Sequence, residues 1–264
     1  MAPVSEIWRG TWVVAYREIL RFVGERSRML SSFAMPLIFL VIFGAGFTKV
    51  MGPLARNVNY IQFMYPGIIA MNVLTSSLFA GISVVWDREF GFLREILVAP
   101  LGRTGIVLGK ALGGTLVALV QALMMLVLAP IVGVPLSLKL VLALIPIVII
   151  LSLGLSGLGI LIASFMQSQQ GFQIIIQILI FPLIFLAGVF FPVNDVPTWM
   201  EVISKINPLT YGVDAIRQVF LGSGLGLGVS LFGHTMTVLD EVFVVGGLGA
   251  ILMVGAVVAF NRQE

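Results

Sequence analysis

Cysteine is absent from the 264 residues and histidine occurs once, as His234. Disulfide frameworks, thiolate metal sites and cysteine nucleophiles are therefore excluded, and a Ser/His/Asp or histidine-rich metal site has almost no material. Charge is also scarce. Asp, Glu, Lys and Arg make up 10% of the chain against 59% hydrophobic residues, where soluble domains carry roughly 25% charged residues. A soluble fold with a mean hydropathy of +1.11 would leave large apolar patches in water, whereas a bilayer accepts apolar surface on the outside of a helix bundle. At roughly 20 residues per helical span, the length accommodates about six spans and no further folded domain. The expected fold class is an all-α integral membrane protein of six transmembrane helices.

Uncharged runs place the spans. Ser31 to Thr48 and Phe63 to Trp86 hold no ionisable residue, and Ala111 to Leu138 is uncharged up to a turn at Pro130, Gly133 and Pro135. Leu140 to Asn194 is too long for one helix and must fold back, with Gln167 to Gly171 as its hairpin. The expected spans are 30–50, 63–86, 105–132, 140–165, 172–191 and 241–260, within a single membrane-embedded unit of residues 1–264. Residues 1–29 carry too many charges for a cleavable signal. Trp8, Trp12, Tyr16, Ile19, Leu20 and Val23 recur at spacings of three and four, which predicts an interfacial amphipathic helix with arginine and glutamate opposite the aromatic face. A soluble helix packed on a partner is the alternative.

Lysine and arginine counts orient the chain. Arg9, Arg17, Arg21, Arg26 and Arg28 lie before the first span, and Arg88, Arg94, Arg103 and Lys110 lie between the second and third. With Arg262, ten of the fifteen basic residues fall on one side, which makes that side cytoplasmic and puts both termini there, in a cell (inner) membrane.

Two connections stand out. From Asp87 to Leu97, charged residues alternate with Phe90, Leu93 and Leu97, predicting a short amphipathic cytoplasmic helix ended near Pro100 within a loop of residues 87–103. Its mixed charges suit a protein partner better than anionic lipid, the alternative being a helix resting on the bilayer. The outer connection of residues 192–240 is apolar yet broken by Pro192, Pro197 and Pro208. Such backbone is tolerated at membrane depth only when covered by protein or lining a cavity, so partial re-entry is expected.

Gly105, Gly109 and Gly113 form two successive GxxxG steps suited to close helix packing, within one subunit or between two. Gln121, Gln173 and Gln177 are candidate contacts on a substrate path, with interhelical hydrogen bonding as the commoner role of such residues. Thr104 to Ala111 approaches a phosphate-binding loop but has threonine and alanine where glycine and Ser or Thr are required. The central thirds of the expected spans contain no ionisable residue, which counts against a proton relay or an ion-coupled carrier.

Six ordered stretches carry a family resemblance: Arg17-Glu18-Ile19-Leu20 followed by Pro36; Phe63 to Ile68; Trp86 to Gly91 through Pro100; Leu108-Gly109-Lys110; Phe185 to Pro192; and Asn207 to Tyr211 with Asp214 and Arg217. Together the set resembles the permease subunits of type-2 ATP-binding-cassette exporters, the family of daunorubicin-resistance-type drug export. That resemblance implies a homodimer or heterodimer of six-span permeases carrying two separate ATPase subunits. The permease itself would bind no cofactor and catalyse nothing, with ATP and magnesium held by the partners. It also implies that the helix after the second span couples to the ATPase, with Phe90, Leu93 and Leu97 as apolar anchors, Glu89, Arg94 and Glu95 at the rim, and Gly91 where backbone approaches the partner. A mainly apolar bundle suits a hydrophobic or amphipathic drug or lipid-like cargo. A lipid-linked polysaccharide or small ion is the alternative within the family, and a membrane enzyme or channel the alternative outside it.

Overall fold

The computed structural model describes residues 4–51, 59–91, 103–222, 228–231 and 234–262. Its helices are α1 (Val4–Gly24), α2 (Arg26–Met51), α3 (Tyr60–Phe79), α4 (Ile82–Glu89), α5 (Arg103–Val127), α6 (Leu138–Ser164), α7 (Gln169–Phe185), α8 (Thr198–Ile206), α9 (Pro208–Leu221) and α10 (Val238–Asn261). A two-stranded antiparallel hairpin, β1 (Ser230–Leu231) and β2 (His234–Thr235), precedes α10. The starts are set by side chains that satisfy free N–H groups of the first turn. Asn59, Ser137, Ser168 and Asn207 each accept from a backbone N–H of α3, α6, α7 and α9 respectively. Thr237 and Asp240 cap α10 reciprocally.

Among the described residues, four stretches are long and apolar enough to cross a membrane: Tyr60–Glu89, Arg103–Val127, Leu138–Ser164 and Val238–Asn261. Phe33–Gly46 and Gln169–Phe185 are shorter apolar helices. The expected span of residues 172–191 differs most from its observed form, because α7 stops at Phe185. Gly188 takes a φ of 74° and reverses the chain, a conformation that costs glycine little, and Pro192 then starts a short 3-10 turn over Val193–Asp195.

α3 is the centre of the bundle. It packs against α2, α5, α6 and α9, and its membrane-length stretch is 72% buried against 17% for α10. α10 lies at the periphery, meeting α6 where Gly154 and Gly249 bring the two backbones together and turning Phe243, Ile251 and Val254 outward. α9 begins at the proline that the outer connection offers as a break, with Pro208 in its first turn, where a missing N–H costs nothing. Leu209 through Arg217 are all buried.

Hydrogen bonds pin the two ends. Arg103 on α5 reaches the Asn261 carbonyl at 3.1 Å, so the start of α5 lies beside the end of α10. At the other end the Tyr65 hydroxyl donates to the Met125 carbonyl, and the Tyr60 hydroxyl to the Phe190 carbonyl at 3.0 Å. Charged residues of α1, α4 and α5 thus share one end of the bundle, and the chain from Phe190 to α10 closes the other.

Candidate functional site

α1 exposes the aromatic face that the sequence singles out and packs through another. Trp8, Trp12, Tyr16, Leu20 and Val23 are exposed, but the side a third of a turn round lies on α5. Thr11, Val14 and Ala15 are buried there, and Arg17 and Glu18 turn inward with them. The glycine stripe is what admits this helix. A Cβ on Gly109 would meet the Val14 Cβ at 2.7 Å, and one on Gly113 would meet the Glu18 Cβ at 2.7 Å. The Thr11 hydroxyl donates to the Gly105 carbonyl at 3.2 Å. Two helices with side chains at those positions stay 8–10 Å apart; glycine lets them close further.

α4 has only eight residues, too few to be stable by hydrogen bonding alone. Its three consecutive charges instead engage four other helices. The Asp87 carboxylate accepts from the Lys110 ammonium at 2.6 Å and lies 3.6 Å from the Arg17 guanidinium. Lys110 also donates to the Ser83 hydroxyl at 2.9 Å, and Arg17 pairs with Glu18 at 3.2 Å. Arg88 donates to the Ser164 and Met166 carbonyls at 3.3 and 2.5 Å, closing the C-terminal end of α6, where free carbonyls favour a cation. Glu89 accepts from the Gln169 N–H at 3.1 Å, at the N-terminal end of α7, where free N–H groups favour an anion. Lys110 is 1% exposed and Asp87 4%. Removing one partner of such a pair strands a buried charge and typically costs about 3–5 kcal/mol, whereas a solvent-exposed ion pair contributes about 0–1 kcal/mol.

The helix expected over Asp87 to Leu97 is interrupted. α4 ends at Glu89; the Phe90 N–H bonds the Trp86 carbonyl at 3.1 Å and the Gly91 N–H the Arg88 carbonyl at 3.1 Å. Gly91 then takes a φ of 79°, the left-handed exit that glycine adopts most easily. Nothing lies within 4 Å of a Cβ placed there, so backbone conformation rather than space requires this glycine within the chain. Phe90 is 63% exposed, with its ring edge-on to the half-exposed Trp86. Leu93, Arg94, Glu95 and Leu97 lie outside the described residues.

The three glutamines are separated by the fold. Gln121 is buried and accepts from the Ser76 hydroxyl, joining α5 to α3 inside one subunit. Gln177 is exposed on α7 and Gln173 half-buried. Sequence reasoning missed the Asp87–Lys110–Arg17 cluster. One signal was present: Lys110 sits between Gly109 and Gly113, and an ionisable side chain on so apolar a helix requires a partner.

Four helices, α1, α5, α6 and α7, thus meet at α4 immediately before Phe90 and Gly91. The profile of the ABC-2 type transporter family matches residues 9–221, from α1 through the charge cluster to the end of α9. The chain belongs to that family. It is 31% identical over 224 residues to a protein of Cyanophora paradoxa named as a transport permease, ycf38, covering 84% of this chain and 77% of that one. It is 33% identical over 167 residues to a protein of Escherichia coli named as a multidrug ABC transporter permease, YbhR, covering 62% of this chain and 45% of that one. Nodulation protein J of Rhizobium meliloti is 28% identical over 229 residues, 83% of this chain and 81% of its own. The protein is thus a transport permease subunit, a multi-pass membrane protein of a family that works with ATPase subunits.

Proposed function

We propose that this permease exports a hydrophobic or amphipathic substrate, drug-like or lipid-like, powered by ATP hydrolysis in two separate ATPase subunits and paired with a second permease copy. ATP and magnesium belong to the ATPase subunits. The chain crosses a cell membrane six times, with α2 and α7 adding two crossings to the four long apolar stretches, and both termini and α4 face the cytoplasm. The observation that carries this reading is the position of α4. Asp87, Arg88 and Glu89 tie it to α5 and α1, to α6 and to α7, and the next residue, Phe90, is exposed. A partner that grips the segment from Phe90 through Gly91 to Leu93, Arg94, Glu95 and Leu97 moves all those helices together. The substrate passes along α7, where Gln173 and Gln177 stand among Ile174, Ile178 and Phe181 on the exposed face.

Co-purification with the ATPase subunit, followed by substrate-stimulated ATP hydrolysis, tests this. Phe90→Ala is expected to weaken ATPase association by about 2 kcal/mol, roughly thirtyfold, because an aromatic anchor contributes most of such an interface. The bundle should melt as the parent does, since Phe90 is exposed. An unchanged affinity would remove Phe90 from the interface. Gly91→Leu imposes a left-handed backbone on leucine and should uncouple hydrolysis from transport or prevent assembly.

Topology is checked separately, since the chain has no cysteine background. Cysteines at the exposed positions Ser137 and Thr198 should react with impermeant reagents in intact cells, and those at Ser168 and Asn261 should not. Labelling of Ser168→Cys from outside would overturn the orientation.

A further inference from the structure

Among the described residues, α8 keeps one apolar face uncovered. Trp199, Val202, Ile203 and Ile206 recur at i, i+3, i+4 and i+7, which is one side of a helix, and all four are exposed, Trp199 at 63% and Ile206 at 71%. Ser204, 1% exposed, marks the side turned to the bundle. At about 100° per residue it stands on the far side of the helix from that stripe. Glu201 and Lys205 pair at 2.5 Å on a third side, with the exposed Thr198 next to them. Glu201 lies in the first turn and Lys205 in the last, where the helix ends favour those charges.

The bundle fixes the direction in which the stripe points. The Tyr211 hydroxyl of α9 donates to the Lys205 carbonyl at 2.6 Å. The buried Asn207 accepts from the Leu209 N–H at 3.0 Å and donates to the Leu183 carbonyl at 2.8 Å, one of the carbonyls left free where α7 stops at Phe185. The C-terminal end of α8 is thus tied to both α7 and α9, with the stripe turned away from the bundle. Three things could cover it. Water would leave four large apolar side chains side by side in solvent, which a folded surface avoids. A second copy of the chain would need more area. A nine-residue helix is only about 13 Å long, and one face of it falls well short of the roughly 800 Å² that each partner gives to a stable interface. The stripe also carries no charge to set a register against protein. Lipid needs no register. Tryptophan is enriched where headgroups meet acyl chains, and an amphipathic helix lies in that plane with its apolar side down.

We propose that α8 is an interfacial helix lying in the plane of the outer leaflet, with Trp199, Val202, Ile203 and Ile206 set about 5–10 Å into the boundary between headgroups and acyl chains and Thr198, Glu201 and Lys205 turned to water. Depth agrees with this placement. α7 has 17 residues, about 25 Å, against a hydrocarbon core of about 30 Å, so the reversal at Gly188 comes near the outer edge of the core and the chain after it runs along that edge. Charge selects the lipid. Because Glu201 and Lys205 offset each other, the helix gains nothing from anionic headgroups and takes a zwitterionic phospholipid equally well. The inference goes beyond the export reading and takes from it only that α7 crosses the membrane and that this end is external.

The test uses the full-length permease in nanodiscs of phosphatidylcholine. Thr198→Cys, Val202→Cys and Ile206→Cys, each carrying a nitroxide, are compared by their collisions with oxygen, which concentrates in lipid, and with a nickel chelate, which stays in water. No native cysteine competes, and all three positions are exposed, so the substitutions leave the packing intact. Oxygen should dominate at positions 202 and 206, and the chelate at 198. A second measurement leaves α8 unaltered: with Trp8, Trp12 and Trp86 replaced by phenylalanine, Trp199 fluorescence should be quenched more by lipids brominated high on the acyl chain than by lipids brominated near its end. Dominance of the chelate at 202 and 206 would put the stripe in water, and exclusion of both probes there would put protein over it; either result overturns the proposal, as does stronger quenching from the chain ends or none at all. Labelling of Thr198→Cys in intact cells reads the orientation separately. Neither spectroscopic readout requires ATPase or substrate, so a failure of the export assignment would leave them unchanged.

Discussion

Lys110→Met is expected to destabilise the permease by about 3–5 kcal/mol and to abolish substrate-stimulated ATP hydrolysis in the assembled complex. The ammonium bonds Asp87 at 2.6 Å and Ser83 at 2.9 Å and is almost completely shielded from solvent. Its removal leaves the Asp87 carboxylate buried with only Arg17, 3.6 Å away and partly exposed, to answer its charge. The remaining options are hydration of the site, which parts α4 from α5, or protonation of Asp87, which loosens its hold on Arg17. Both release α4 from α1. The double variant Lys110→Met/Asp87→Leu separates structure from coupling. Replacing both members of a buried pair with apolar groups is often neutral or stabilising, so the double variant should recover most of the lost stability. It should not recover coupling, because the tie from α4 to Arg17 of α1 has gone with Asp87. Thermal unfolding in detergent followed by tryptophan fluorescence, with ATPase assays of the complexes, reads both. A single variant that melts like the parent, or a double variant that couples normally, would show that the pair does not transmit movement.

Gly159→Val is expected to prevent the bundle from closing, with a cost of about 3 kcal/mol or more and little folded protein in the membrane. α3 and α4 join at an elbow, Ala80 and Gly81, pressed onto α6. A Cβ on Gly81 would fall on the Gly159 carbonyl, and a Cβ on Gly159 would fall on the Leu78 carbonyl. Overpacking costs about 1–3 kcal/mol when side chains can move aside; here the obstacle on each side is backbone, which cannot change rotamer. Gly81→Val should behave in the same way. Gly247→Ala serves as the control, since nothing lies within 4 Å of a Cβ there. Normal yield and melting of Gly159→Val would mean that the elbow packs elsewhere in the membrane.

Much of the architecture is legible in the residues because each feature is local. Apolar runs longer than a bilayer is thick report the membrane without help from tertiary contacts. The polar run Gln167 to Gly171 marks the hairpin between α6 and α7, and Pro208 marks a break in the outer connection, because turn residues and proline act within a turn of where they stand. The shortened α7 was less visible. Its stop depends on Gly188 at positive φ, and a glycine in an apolar run also fits inside a span.

What the sequence alone determined is the class of molecule: an all-helical membrane protein without thiol or histidine chemistry, with basic residues gathered on one side and a charged connection after the second apolar stretch. Tertiary structure alone decided the partners. The glycine stripe of α5 reads equally well as a subunit interface, and only packing assigns it to Thr11, Val14, Ala15 and Glu18 of α1. Gln121 reads as an interhelical bridge or a substrate contact, and only the fold supplies its partner, Ser76 of α3. Lys110 and Asp87 are 23 residues apart. Burial and charge pairing belong to pairs of residues brought together from distant positions, and periodicity along one helix carries no information about which side chain arrives from another.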